Sequence, residues 1–197
     1  LWDLSLRSYD WIKDLPVIES EKIDKNFLHE DLLEETEKCE VQSTVCVQAH
    51  QSEDEADWLL DIANKSSIIK GVVGWIDLKS PEIEYKLDRF QKNEKFVGIR
   101  HVWHDEKDEG WIMDTDVLNG LKILSENNFM LIIITNQSMI GRGISTLDNL
   151  NKIHSKMQKI FRTNGFEIDK IYFCPHLPEH LCDCRKPKSG LLKKAIL

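Results

Sequence analysis

Five strand-sized apolar runs alternate with amphipathic helical stretches along the 197 residues, and this alternation limits the folds open to the chain. "STVCVQA" (43–49) alternates apolar and polar residues with period two, the mark of a half-buried strand. Ser52 and Glu55 form a capping-box pattern that opens the helix "EDEADWLLDIANK" (53–65). "IIKGVVGWIDL" (68–78) reads as the second strand, and Ser80-Pro81 as the start of the helix "EIEYKLDRFQKN" (82–93). "FVGIRHVWH" (96–104) is a third strand, followed by "TDVLNGLKILSENN" (115–128) with Val117, Leu121 and Leu124 on one helical face. "FMLIIIT" (129–135) is apolar throughout and reads as a strand buried on both faces. Thr146 to Phe161 carries Leu147, Leu150, Ile153, Met157 and Ile160 at helical spacing, and "DKIYFC" (169–174) is the fifth strand. Repeated strand–helix units imply an α/β fold with a parallel sheet and right-handed crossovers. In such folds functional residues gather at the carboxyl ends of the strands. Here those positions hold His101 and His104, then "TNQS", then "CPH".

Composition narrows the function. The formal charge is −8 and hydrophobic residues make up 41%, so the chain is globular and has length enough for one large domain or two small ones. It has no basic block to neutralise a run of phosphates, so neither a nucleic acid nor an anionic membrane surface is expected as a partner. No apolar run reaches membrane-spanning length and no signal peptide is visible, which points to the cytoplasm. Cys39 and Cys46 stand singly in periodic segments and read as buried thiols. The chain opens on Leu1 and closes on what reads as a helix just begun, so both ends look cut.

The other three cysteines crowd into eleven residues. Cys174-x-His176-x5-Cys182-x-Cys184 offers three thiolates and an imidazole, a donor set suited to tetrahedral zinc with no open position for water. Such a site is structural and would fold a loop that has no core of its own. His180 lies in the same loop as a spare candidate, but His176 directly follows the strand end. Arg185 and Lys186 come immediately after the last ligand. A guanidinium fork and an ammonium held at a sheet's carboxyl edge suit a phosphoryl group. The fourth strand ends in "TNQSMIGRG", where the Thr135 hydroxyl and the backbone N–H groups of Asn136 and Gln137 can face an anion.

Together "LIIITNQSMIGRG", "IDKIYFCPHLPEH" and "CDCRKPKSGLL" resemble the histidinol-phosphatase and D-glycero-D-manno-heptose 1,7-bisphosphate phosphatase branch of the haloacid dehalogenase superfamily. The resemblance covers about residues 115 to 197. It implies a Rossmann-like segment and a sugar phosphate as substrate. It implies Thr135 and Lys186 in the catalytic machinery, with Asn136, Gln137, Ser138 and Arg185 beside the substrate. It implies structural zinc on Cys174, His176, Cys182 and Cys184, and magnesium at the reacting phosphoryl group. Met139 departs from the family's usual glycine. The family's nucleophile lies in a D-x-D-G-T motif, and these 197 residues hold none; "HDEKDEG" (104–110) has the wrong spacing. An aspartyl-phosphate cannot form without that carboxylate, so impaired turnover is expected, and the magnesium site is incomplete.

The front of the chain resembles something else. "LWDL", "FLHEDLLEETEKCEVQSTVCVQAHQSEDEADWLLDIA", "GVVGWIDLKSP" and "VGIRHVWHDEKDEGWI" look like an amidohydrolase-related lactonase of the L-fuconolactonase type, over about residues 1 to 128. That family implies part of a (β/α)8 barrel, a sugar lactone as substrate, and His101 and His104 facing it. The two resemblances overlap at "VLNGLKILSENNF" (117–129). The expected architecture is therefore a partial barrel-like segment (1–128) followed by a Rossmann-like segment with a zinc loop (129–197), joined within 115–130. Both parents are hydrolases. Phosphatase is the first reading, lactonase the second, and a non-catalytic, zinc-stabilised phosphate-binding fragment the third.

Overall fold

The computed structural model describes residues 1–196 and is an α/β structure in two compact units, Leu1–Trp111 and a second from Ile112 onward. In the first unit, helices α1 (Val17–Ile23) and α2 (His29–Lys38) precede the strand–helix repeat. The repeat runs β1 (Thr44–Val47), α3 (Glu53–Lys65), β2 (Ile69–Gly74), α4 (Ile83–Gln91) and β3 (Phe96–Ile99). The three strands form one parallel sheet in the order β1-β2-β3. Chain order equals sheet order, so each strand lies beside the one before it, joined by a helical crossover.

The helices bury one face of this sheet. Ala56, Leu59, Leu60 and Ala63 of α3 and Leu87 and Phe90 of α4 join Ile69, Val72 and Phe96 in the core, with Phe90 and Phe96 stacked at 5.0 Å. Gly74 permits this closeness: a Cβ there would lie 2.9 Å from the Ala56 Cβ. The opposite face is open, and Val45, Val47 and Val97 are exposed.

The Ser52–Glu55 pattern folds only in part as a capping box. Ser52 accepts from the Glu55 N–H at 3.2 Å, as expected for a helix cap. The Glu55 carboxylate does not return to Ser52. It is fully buried and accepts from the N–H groups of Ala49 and His50 and from the Tyr9 hydroxyl, each at 2.8 Å. It therefore ties the loop after β1 to the N-terminal segment. Burial, and then the bond to Glu55, push the Tyr9 hydroxyl up to about 12. Helix α4 begins at Ile83 rather than just after Pro81, because Ser80 and Pro81 are spent on a turn in which the Ser80 hydroxyl accepts from the Glu82 N–H. Cys46 is buried, but Cys39 caps the end of α2 and is exposed, so the expectation of two buried thiols holds for one.

The second unit holds α5 (Thr115–Glu126), β4 (Ile132–Asn136), α6 (Ser138–Gly141), α7 (Leu147–Thr163), β5 (Lys170–Cys174) and α8 (Gly190–Ile196). Strands β4 and β5 pair in parallel without a register break, Ile132 opposite Lys170 through Asn136 opposite Cys174. Val117, Leu121 and Leu124 of α5 are buried as their spacing predicts. One expectation fails here. Strand β4 is not buried on both faces: Ile132 is 38% exposed and the next four residues are half-buried, because the sheet has two strands among the described residues. The segment with helical spacing forms α7, in which Leu150, Met157 and Phe161 are buried while Leu147 and Ile153 are exposed. No helix of the described residues is long and apolar enough to cross a membrane.

Glu55→Ala leaves two N–H groups and a hydroxyl without their acceptor in a buried place. The expected loss is about 2–4 kcal/mol in urea unfolding. Glu55→Gln should recover part of it, since the amide oxygen can accept from both N–H groups while its NH2 donates to the Tyr9 hydroxyl oxygen.

Candidate functional site

The uninterrupted β4–β5 register ends on the pair Asn136 and Cys174, so the loops after the two strands leave the sheet side by side. Two backbone bonds hold them together beyond the ladder. The Gln137 N–H donates to the Cys174 carbonyl at 2.7 Å, and the Gly141 N–H to the Pro175 carbonyl at 3.0 Å. Gly141 is required there, because a Cβ would lie 2.9 Å from that same carbonyl oxygen. The Gln137 N–H is thus committed to Cys174, which removes it from the anion nest expected from the sequence.

Among the described residues, one group of three or more metal-ligating side chains comes together: Cys174, His176, Cys182 and Cys184, with all four ligand atoms within 4.8 Å of one another. Cys174 Sγ lies 3.6 Å from both His176 Nδ1 and Cys182 Sγ. Cys184 Sγ lies 3.3 Å from Cys174, 3.4 Å from Cys182 and 3.2 Å from His176 Nδ1. Zinc bonds of about 2.3 Å to sulfur and about 2.0 Å to nitrogen, at tetrahedral angles, put ligand atoms about 3.5–3.8 Å apart. Five of the six pairs are at or slightly below that spacing, and the quartet could hold a metal ion. His180 stands outside it, accepting from the Leu177 N–H at 3.4 Å.

Two of the sulfurs shift in opposite directions. Burial pushes the Cys182 thiol up, but hydrogen bonds from Cys184 and Cys174 and from the N–H groups of Arg185 and Cys184 outweigh it and bring it down to about 7. Cys184 moves up to about 12, through burial and then through its bonds to Cys174 and Cys182. Burial and the hydrogen bonds among the three side chains thus drive the two thiols apart in acidity. A divalent cation lets all three act as thiolates.

The loop is then stapled to the downstream segment. Arg185 donates from its guanidinium to the His176 carbonyl at 3.1 Å, and the Lys188 ammonium to the Leu181 carbonyl at 2.6 Å. The Gly190 N–H reaches the Asp183 carbonyl at 3.1 Å, an approach that a Cβ at Gly190 would block. Lys186, half-way along this segment, crosses to the other strand: its ammonium donates to the Ile134 carbonyl at 3.0 Å. That carbonyl belongs to the residue before Thr135. The Gln137 side-chain amide donates to the Thr135 hydroxyl oxygen at 3.1 Å, leaving the hydroxyl its own proton to give. Asn136 binds the backbone of Lys186 on both sides, at 3.1 Å and 3.3 Å. Nothing in the sequence pattern distinguishes this role of Asn136. Ser138 opens α6, half-buried, next in line. No group of three or more carboxylates gathers among the described residues.

His101 and His104 follow β3 but serve separately. The His101 Nδ1 accepts from the Trp75 indole N–H at 3.1 Å, its Nε2 pairs with Glu106 at 2.7 Å, and its ring stacks on Trp111 at 4.0 Å. His104 is largely exposed and lies beside Asp105. With both ring nitrogens taken, His101 has no lone pair for a shared metal.

The sequence profile of the polynucleotide kinase 3 phosphatase family matches residues 85–196. The D-glycero-beta-D-manno-heptose-1,7-bisphosphate 7-phosphatase of Neisseria meningitidis is 38% identical over 86 residues, 44% of this chain and 46% of the relative. Its counterpart in Helicobacter pylori is 43% identical over 107 residues, 54% of this chain and 61% of the relative. The histidine biosynthesis bifunctional protein HisB of Blochmanniella floridana is 40% identical over 96 residues, covering 27% of that protein. The chain spans about half the length of the curated heptose-phosphatase relatives it matches. By fold, a crystal structure of an amidohydrolase from Burkholderia multivorans aligns with 76% of this chain and 48% of its own, at a TM-score of 0.60 and 22% identity. The chain thus combines a stretch like the phosphatases with the fold of an amidohydrolase, as a fusion of two pieces would.

Burial holds the His101 imidazole below its ordinary range, against the opposing pull of Glu106. The unfolded chain therefore takes up this proton more readily than the folded one, so stability falls as pH drops through about 6.5 toward the folded value. His101→Gln should flatten that part of the unfolding profile between about pH 7.5 and about pH 5.

Proposed function

Because this chain belongs to the polynucleotide kinase 3 phosphatase family, we propose that its second unit is a metal-organised site for a phosphoryl anion of the sugar-phosphate class, with turnover impaired. One observation carries the reading: Lys186, following the metal loop after β5, places its ammonium 3.0 Å from the Ile134 carbonyl, beside Thr135 at the end of β4. A hydroxyl donor and a cation converge there from two adjacent strands of a parallel sheet, which is where such folds bind ligands. In this reading Cys174, His176, Cys182 and Cys184 hold zinc as a structural ion. Zinc supplies no chemistry to the anion; it fixes the loop from which Arg185 and Lys186 start. Thr135 and Ser138 are assigned as hydroxyl donors, Lys186 as the charge, and Arg185, whose guanidinium donates to the His176 carbonyl, to substrate recognition.

The heptose bisphosphate named for the relatives supports a sugar phosphate as the ligand. The absent D-x-D-G-T motif removes the carboxylate nucleophile from these 197 residues, so the reading assigns binding, and little hydrolysis, to the chain as it stands. We place the join between the two parent sequences within residues 115–130, giving segments 1–128 and 129–197. Helix α5, with its buried face, carries the stretch in which the two resemblances overlap. We place the protein in the cytoplasm, where thiols remain reduced and available to a metal.

Metal analysis of the purified chain should find one equivalent of zinc, and Cys182→Ser should lower it to below half an equivalent. Inorganic phosphate should bind with an affinity that Lys186→Ala weakens about tenfold or more, since a charge-assisted hydrogen bond contributes about 1.5–3 kcal/mol. Magnesium-dependent release of phosphate from a sugar bisphosphate should stay at background. Robust turnover would overturn this reading.

A further inference from the structure

Asn136 and Lys186 are 50 residues apart, yet three hydrogen bonds join residue 186 to the end of β4. The Asn136 Oδ1 accepts from the Lys186 N–H at 3.1 Å, and its Nδ2 donates to the Lys186 carbonyl at 3.3 Å. The third bond is the one from the Lys186 ammonium to the Ile134 carbonyl. The Asn136 amide makes the first two together because it offers an acceptor and a donor side by side. A carboxylate would accept from the N–H and repel the carbonyl, and an aliphatic isostere would satisfy neither.

We infer that Asn136 is a positioning residue. It clamps the backbone of Lys186 and so delivers the ammonium to the anion site, rather than recognising the anion itself. This rests on the anion-site reading above. A lysine charge sits on a flexible stem, and ordering that stem opposes binding. The metal loop anchors the residues that flank Lys186, Arg185 on the His176 carbonyl and Lys188 on the Leu181 carbonyl. The backbone of Lys186 is tied to β4 by Asn136, whose strand neighbour Cys174 is itself the first metal ligand. One residue therefore links the metal loop's downstream arm to the strand that carries Thr135. The rival role, direct contact with the anion through the second N–H of the same amide, predicts different energetics.

Two measurements on the zinc-loaded full chain separate these roles. In the first, acetylation of individual lysines by a soluble acylating reagent is followed by mass spectrometry, without phosphate. Asn136→Ala should raise the Lys186 rate about threefold or more while Lys152 on α7 is unchanged, and Asn136→Asp should fall between. In the second, phosphate affinity is measured in a double-mutant cycle. Asn136→Ala should weaken binding about as much as Lys186→Ala, and the double variant should be no weaker than Lys186→Ala alone. A general loss of fold would lower zinc content, and that result in both Asn136 variants would overturn the assignment. An unchanged Lys186 rate, or losses that multiply, would also overturn it. If the unaltered chain binds no phosphate, the anion-site reading falls, and the acetylation result alone decides the role of Asn136.

Discussion

The pairing of β4 with β5 is the constraint on which the candidate site depends. Five consecutive residue pairs without a bulge bring both strands to their carboxyl ends together, at Asn136 and Cys174. A shift by one residue would turn every side chain of one strand to the other face. Cys174 would then turn away from its partners, and Asn136 would leave the backbone of Lys186. Because the register holds, one loop carries the hydroxyl turn, the other carries the metal ligands, and both leave the same edge. The Gln137 bond to the Cys174 carbonyl and the Gly141 bond to the Pro175 carbonyl extend this alignment past the ladder.

The metal loop solves a problem that hydrophobic burial cannot. Between Pro175 and Gly190 most side chains are exposed, so the segment has almost no core to hold it. Four ligand atoms close enough to hold a metal ion, with Arg185, Lys188 and Gly190 tying the downstream arm back to loop carbonyls, can supply that order instead. The same economy of core appears elsewhere. Val45, Val47 and Val97 leave one face of the first sheet uncovered, and Ile132 is partly exposed on the second. Parallel sheets ordinarily bury both faces. Open faces on both sheets accord with a chain that spans about half the length of its heptose-phosphatase relatives and aligns with about half of an amidohydrolase structure.

Much of this was legible in the residues. The strands at 44–47, 69–74, 96–99, 132–136 and 170–174 fall inside or within one residue of the predicted runs, because short β-branched segments between capped helices admit few alternatives. The metal quartet was legible because ligand spacing is a local property, and His176 was preferred over His180 for a reason the geometry shares. What escaped depends on partners distant in sequence. The Glu55 carboxylate turns to Tyr9, 46 residues away, instead of closing its own capping box. Asn136 turns to Lys186, and no periodicity announces an amide that will bind a backbone across two loops. The apolar continuity of "FMLIII" predicted burial on both faces, but covering a strand needs neighbours that the pattern of one strand cannot supply.

The central claim is that a metal-organised loop and a strand end together make one phosphoryl site. Calorimetric titration of phosphate into the same preparation before and after zinc is stripped by a chelator tests it most directly. The account predicts that removal of the metal weakens phosphate binding about tenfold or more, since the arm that carries Lys186 loses one of its two anchors. Equal phosphate affinity in the loaded and stripped protein would contradict it.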